Sequence, residues 1–356
     1  MNRDPILFRV DGTIQQGWER LTRCMTFAAA LQRRRRPTYF LSMLEPGHLG
    51  LNVKRAGNEW LEADGPAGSQ EDLDETIQEV RRLNPAAVVV DALDISKEYL
   101  TELGSTGTMV ISLDHQATTC FPSQLVINPM LGLGRDAYEF MPGTQLLLGE
   151  RYALVRSDIR RIRPVRAQEP NGPFRALVAL GDHDPHAQTL ELTRQLMNIA
   201  KLDRIDIITR SYNPNLTSLQ ELATAHPDRV EVATEAPETA SRLARCHLAI
   251  TSGSSFSLEL ACVGIPQLIV VQSDLHWPTA QRLEDEGVAV CLGRRENLTP
   301  VALRQAVQNL LMDPAERQAM ARCGRQLVDG RGPDRLVTAL EVMLHPSRLV
   351  DMADAA

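Results

Sequence analysis

Residues 248–271 read LAITSGSSFSLELACVGIPQLIVV. Two short apolar runs, Leu248–Thr251 and Gln267–Val271, enclose a helical stretch at Phe256–Cys262. Continuous apolar runs without polar alternation read as strands covered on both faces, and a helix between two of them implies parallel pairing. The same alternation extends in both directions. Further strands read at Ala176–Leu180, Ile205–Thr209, Val230–Val232 and Val288–Leu292. Helical patterns lie at Thr189–Ile199, Ser218–Ala225, Glu238–Arg245 and Trp277–Glu286, and the spans 300–312, 314–328 and 335–344 follow.

An earlier, similar set occupies the first part of the chain. Its strands are Ile6–Val10, Thr38–Met43, Ala86–Asp91, Met109–Asp114 and Leu125–Asn128. Its helices are Leu21–Gln32, Leu73–Leu83 and Lys97–Leu103. Between the two sets, residues 160–173 are charged and carry Pro164, Pro170, Gly172 and Pro173, a linker composition. The reading is therefore an α/β protein of two Rossmann-like domains, 1–160 and 175–350. A linker at 161–174 and a frayed tail at 351–356 complete it. Open parallel sheets bind ligands beyond the carboxyl ends of their strands. Two such sheets on one linker predict a ligand in an inter-domain cleft.

Composition narrows the partner. The chain has 356 residues, 43% hydrophobic and 23% charged, enough for two buried cores. Its net charge of -7 excludes nucleic acid as the main partner, because phosphate neutralisation needs a basic surface. The run Arg33–Arg36 follows a helical stretch and reads as a solvated helix end, where cations meet the negative dipole. No signal peptide and no spanning segment are read, since no stretch reaches the ~18–20 apolar residues a membrane requires. The six cysteines are scattered without a C-x-x-C pair, which fits reduced thiols in a cytoplasm. No metal and no cofactor are implied.

The loops after strands hold the candidate chemistry. Ser252-Gly253-Ser254-Ser255 closes one strand and opens a helix, a turn that suits a diphosphate. Glu259, in that helix, offers a carboxylate to ribose hydroxyls. Gly181-Asp182-His183-Asp184 follows the first strand of the second set, and Asp184 is equally suited to cap the next helix. Asp274 and His276 follow the strand at 267–271, where a carboxylate can orient an imidazole. The first strand of the chain ends in Asp11-Gly12-Thr13, with Gly17 and Arg20 before a helix.

Several of these segments resemble one family, the nucleotide-sugar hydrolases of pseudaminic acid biosynthesis in the GT-B superfamily. RVDGTIQQGWERLTRCMTFAAAL at 9–31 is similar to the family's opening, matching at Arg9, Asp11, Gly17, Arg23 and Cys24. LLLGERYALVRSDI at 146–159 and SGSSFSLELACVGIP at 252–266 resemble two further stretches, with Glu259 at the family's carboxylate. The resemblance implies a GT-B fold and a UDP-linked sugar as ligand. It also places Gly181, Gly253, Ser254, Ser255 and Glu259 at the nucleotide, and Gly17, Asp184 and Asp274 on the sugar side. The departures are on that sugar side. Arg20 stands at the family's catalytic His, Leu93 at a Tyr, and Leu275 and His276 at two amides.

An arginine cannot exchange protons near neutral pH but can hold an anion. Two functions are therefore expected. One is an enzyme that hydrolyses or transfers a sugar from its nucleotide in cell-surface or flagellar glycan synthesis. In it Arg20 steadies the leaving diphosphate, and Asp11, His183 or His276 is the base. The other is a silent homologue that holds the nucleotide-sugar or supports a glycosylation partner protein.

Overall fold

The computed structural model describes residues 3–93, 95–182, 184 and 186–345. His183 and the tail 351–356, both named above, lie outside the described residues. The chain divides into two compact units. The first comprises 1–154 and 331–356, the second 155–330.

In the first unit a seven-stranded parallel sheet has the order β3-β2-β1-β4-β5-β7-β9. Its strands are β1 Ile6–Val10, β2 Thr38–Ser42, β3 Glu59–Glu62, β4 Ala87–Asp91, β5 Met109–Leu113, β7 Leu125–Asn128 and β9 Gln145–Leu148. A small pair, β6 Cys120–Phe121 and β8 Glu139–Phe140, stands apart. The helices are α1 Glu19–Arg33, α2 Leu49–Arg55, α3 Gln70–Leu83 and α4 Lys97–Gly104. β1 and β4 consist wholly of buried residues, so covering helices rather than polar alternation explain their composition.

In the second unit a six-stranded parallel sheet has the order β12-β11-β10-β13-β14-β15. These strands are β10 Arg175–Ala179, β11 Arg204–Ile208, β12 Val230–Ala233, β13 Leu248–Thr251, β14 Gln267–Val271 and β15 Ala289–Arg294. Its helices run from α5 Ser157–Arg160 through α6 Gln188–Leu196, α7 Leu216–Ala225, α8 Ala236–Leu243, α9 Ser255–Val263 and α10 Trp277–Asp285. α11 Pro300–Met312 and α12 Pro314–Leu327 complete it. α13, Gly332–Leu344, belongs to the first unit.

All six expected strands of the second sheet are present. The first sheet has two more than expected. β3 is EWLE, half charged and half exposed, so it carries no apolar run to detect. β9 lies beyond Leu125–Asn128, which was expected to end the sheet.

The division between units also differs from the expected one. Residues 155–174 do not form a free linker but a strap on the second unit. Arg163 donates to the carbonyls of Cys262 at 2.7 Å, Val328 at 2.8 Å and Arg325 at 2.6 Å. Arg166, 5% exposed, donates to the carbonyl of Cys246 at 2.8 Å. These arginines satisfy carbonyls that helix ends leave open, which is why a charged, proline-rich stretch can pack.

α13 in turn rejoins the first unit. Arg33 pairs with Asp334 at 2.8 Å, and Arg36 pairs with Glu341 at 2.9 Å while donating to the Asp4 carbonyl at 2.7 Å. The arginine run is thus a clamp rather than a wholly solvated helix end, and Arg36 is buried within it. Arg34 and Arg35 are exposed.

Candidate functional site

Each sheet has one place where the chain leaves its first strand in opposite directions, between β1 and β4 and between β10 and β13. Ligands of open α/β sheets bind at these points. The register fixes what meets there. Ala179 pairs with Thr251, so Gly181 and Gly253 emerge from neighbouring strands at the same edge. Val10 pairs with Asp91, which sets Asp11 and Asp91 at the corresponding edge of the first sheet.

In the second unit Gly253 has φ +80°, and a Cβ there would lie 3.2 Å from both the Ala280 Cβ and the His276 carbonyl oxygen. Only glycine meets both demands. Ser252 is fully buried, and its Oγ has no hydrogen-bond partner. Ser254 stands at the N-cap of α9 in extended conformation, yet its side chain makes no capping bond. A hydroxyl buried without a partner is costly to the fold. Ser255 opens the helix and is half-buried.

Glu259 is 5% exposed and accepts from Arg156 through the backbone N–H at 2.8 Å, Nε at 3.0 and 3.1 Å, and Nη2 at 2.8 Å. Desolvation works against the Arg156 charge, but the Glu259 partner outweighs it and holds the guanidinium firmly protonated. The carboxylate expected to face a ribose is thus taken up within the protein.

The remaining second-unit residues divide in the same way. Asp184 accepts from the N–H groups of Gln188 at 2.9 Å and Thr189 at 2.8 Å, the capping bonds expected of it. Gly181 has φ +127° with open space where a Cβ would stand. Asp182 pairs with Arg210 at 3.4 Å. Asp274 is exposed and pairs with Arg294, whose guanidinium lies 5.5 Å from the Trp277 ring centroid. His276 is half-buried on the same loop.

In the first unit Asp11 is 1% exposed. Its two oxygens take four donors: Arg9 Nη1 and the Met43 N–H at 2.9 Å on Oδ1, and Arg9 Nη2 at 3.5 Å and the Ala67 N–H at 2.8 Å on Oδ2. Arg9 also bonds Asp72, which accepts from the Tyr99 hydroxyl at 2.8 Å. This network ties three loops together, and it leaves Asp11 no free lone pair for a base. Gly17 has φ +73° and open space around it.

Arg20 lies in the first turn of α1, buried, and touches Gln16. Nearby Arg23 forms a two-pronged bond to Asp91, and Cys24 Sγ lies 3.4 Å from Asp91. Arg23 Nη1 is 3.3 Å from His115 Nδ1. A guanidinium only donates, so Nδ1 accepts and the neutral ring carries its proton on Nε2. Burial, then the Arg23 charge, pushes His115 down to about 4. His115 and Arg156 were missed as site residues. His115 directly follows an expected strand end, which was the available signal.

Among the described residues, no group of three or more His, Cys, Asp or Glu is placed to hold a metal. No helix among them is long and apolar enough to cross a membrane.

No family model matches the chain. It is 21% identical over 336 residues to the spore coat polysaccharide biosynthesis protein SpsG of Bacillus subtilis, covering 93% of this chain and 96% of that protein. It is 28% identical over 197 residues to the UDP-N-acetylglucosamine--N-acetylmuramyl-(pentapeptide) pyrophosphoryl-undecaprenol N-acetylglucosamine transferase of Phenylobacterium zucineum, covering 52% and 53%. The solved structure of spinosyn rhamnosyltransferase SpnG complexed with thymidine diphosphate superposes with a TM-score of 0.65 at 16% identity, covering 95% of this chain and all of that one. The chain has the GT-B glycosyltransferase fold. In this GT-B chain both switch points carry polar groups, and the one in the second unit carries the glycine-dependent turn.

Proposed function

We propose that this GT-B protein binds a pyrimidine nucleoside diphosphate sugar through its second unit and transfers the sugar, in the synthesis of a surface polysaccharide. The observation that carries the reading is the turn Ser252-Gly253-Ser254 at the β10/β13 switch point. It presents a buried hydroxyl without a partner at the start of α9. Backbone N–H groups and the dipole of a helix start suit a diphosphate. The thymidine diphosphate held by the similar rhamnosyltransferase and the UDP-sugar in the name of the transferase relative support a pyrimidine nucleotide. The polysaccharide role rests on the relative from Bacillus subtilis.

In the step proposed, an acceptor oxygen attacks the anomeric carbon. The bond from that carbon to the diphosphate breaks, and the nucleoside diphosphate leaves with the electron pair. Asp11 is fully occupied, so we assign proton acceptance to His276, on the loop whose backbone packs against Gly253. The occupied Asp11 also favours a second reading, in which the protein holds the nucleotide-sugar for a glycosylation partner without turning it over.

Thermal unfolding with UDP, dTDP, UDP-N-acetylglucosamine, CMP, GDP and ATP tests both. A ligand at 100 times its Kd adds roughly 2.7 kcal/mol of stability. UDP and dTDP species are expected to raise the midpoint and the purine nucleotides to leave it unchanged. Release of UDP or dTDP with an acceptor present separates transfer from silent binding. No shift with any nucleotide removes both readings.

A further inference from the structure

Arg20 is 6% exposed. Its Nη2 donates to the Gln16 carbonyl at 3.1 Å and to Gln16 Oε1 at 3.2 Å, and its Nε is buried without a partner. The arginines around it are different. Arg9 is held by Asp11 and Asp72, and Arg23 by both oxygens of Asp91. Among the described residues no carboxylate is in ion-pair contact with Arg20.

Its neighbours act on it without ion-pair contact: the Asp91, Glu19 and Asp11 carboxylates attract its charge and Arg23 repels it, and burial outweighs them. Asp91 is already shared between Arg23 and the Cys24 thiol. Burial keeps Cys24 and His115 neutral at pH 7, one by raising its pKa and the other by lowering it. Burial is also the largest influence on Arg20 itself, lowering its pKa. A buried cation with an unmade N–H is incomplete until an acceptor arrives.

We propose that Arg20 receives a single anionic group, a carboxylate or phosphate monoester, carried on the sugar or acceptor, and so makes this protein selective for an acidic sugar ligand. The site lies at the β1/β4 switch point, in the first turn of α1, where the helix dipole adds to the attraction. The planar guanidinium, with Nε still unused, matches such a group. A leaving diphosphate fits less well. Gly12, in the turn before α1, faces Trp18 and Leu21, and a Cβ there would lie 3.0 and 3.1 Å from them. The Gly12 end of that turn is closed by these side chains, and the open space lies at Gly17, next to Gln16 and Arg20. The inference rests on the glycosyl-transfer reading only for the kind of molecule bearing the anion.

The test is calorimetric titration of the full chain, wild type and Arg20→Gln, with glucuronate, glucose 1-phosphate, glucose, inorganic phosphate, UDP and dTDP. Glucuronate or glucose 1-phosphate is expected to bind at least ten-fold more tightly than glucose. Arg20→Gln is expected to lose that preference and to keep UDP and dTDP binding within two-fold. Its melting point should match or exceed the wild type, because a buried unpaired cation is removed. Equal binding of glucose and the acidic sugars overturns the proposal, and this arm needs only the wild type if the variant fails to fold. Loss of UDP and dTDP binding in Arg20→Gln also overturns it, by assigning Arg20 to the leaving diphosphate. So does inorganic phosphate binding as tightly as the sugar phosphate. Arg20-dependent binding of acidic sugars without any nucleotide binding sustains the anion site while the nucleotide reading fails.

Discussion

Arg156 and Glu259, 103 positions apart, are joined by the Arg156 backbone N–H and a two-pronged guanidinium bond, with side chains 16% and 7% exposed. The pair links the stretch after Leu154 to α9, directly behind the turn that opens that helix. Glu259→Gln leaves a buried guanidinium without its counter-charge. It is expected to cost about 3 kcal/mol of second-unit stability, in the range for breaking a buried ion pair. Urea unfolding of the variant measures this, and an unchanged midpoint would show that the pair contributes nothing. A double-mutant cycle with Arg156→Met separates the pair's own coupling from the orphaned charge.

The two sides of the turn should respond differently to substitution. Ser252→Ala removes a hydroxyl with no protein partner, so stability should stay within about 0.5 kcal/mol of wild type. Its UDP- or dTDP-induced melting shift should shrink. Gly253→Ala must adopt φ +80° and crowd the His276 carbonyl, and is expected to lose about 1–3 kcal/mol in addition to the shift. A Ser252→Ala protein with the full nucleotide shift counts against the turn as the nucleotide site.

Much of this arrangement was legible in the sequence. The central strands of the second sheet, β10, β13 and β14, are almost wholly buried apolar runs that stand out against their helices. The edge strand β3 carries charged and exposed side chains and leaves no such trace, whereas β9 is a short leucine run that was not read as a strand. The Gly/Ser turn between a strand and a helix was visible from spacing. The partners of Glu259, Asp11 and Asp184 were not, because a carboxylate in a loop looks the same whether it awaits a ligand or holds an arginine 103 residues distant. Nor does proline-rich composition reveal that Arg163 and Arg166 find helix-end carbonyls.

His115 gives a pH signature. Its folded pKa, about 4, lies below the unfolded value of 6.5, so between these values the unfolded chain binds more protons. Its contribution to stability is therefore complete above pH 6.5 and is lost as pH falls toward about 4. Arg23, Asp91, Glu19 and Asp114 all act on this ring. His115→Gln should melt with a shallower dependence on pH between 6.5 and 4 than the wild type. Parallel melting curves across that window would contradict the burial of a neutral ring.

The strap makes its own prediction. Arg163→Met keeps the apolar stem and leaves three carbonyls without their donor. A loss of about 1–3 kcal/mol is expected in urea unfolding. Limited proteolysis should then cut within 161–174 faster than in the wild type. Equal protection in the variant would mean that apolar packing alone seats the strap.

α13 completes a domain that the chain began more than 300 residues earlier, with Arg33 meeting Asp334 and Arg36 meeting Glu341. The second unit is in effect an insertion. During synthesis the ribosome therefore delivers the first sheet long before the helix that clamps α1. The second unit can close as an uninterrupted piece, while the first must wait, incomplete, until the last helix has emerged.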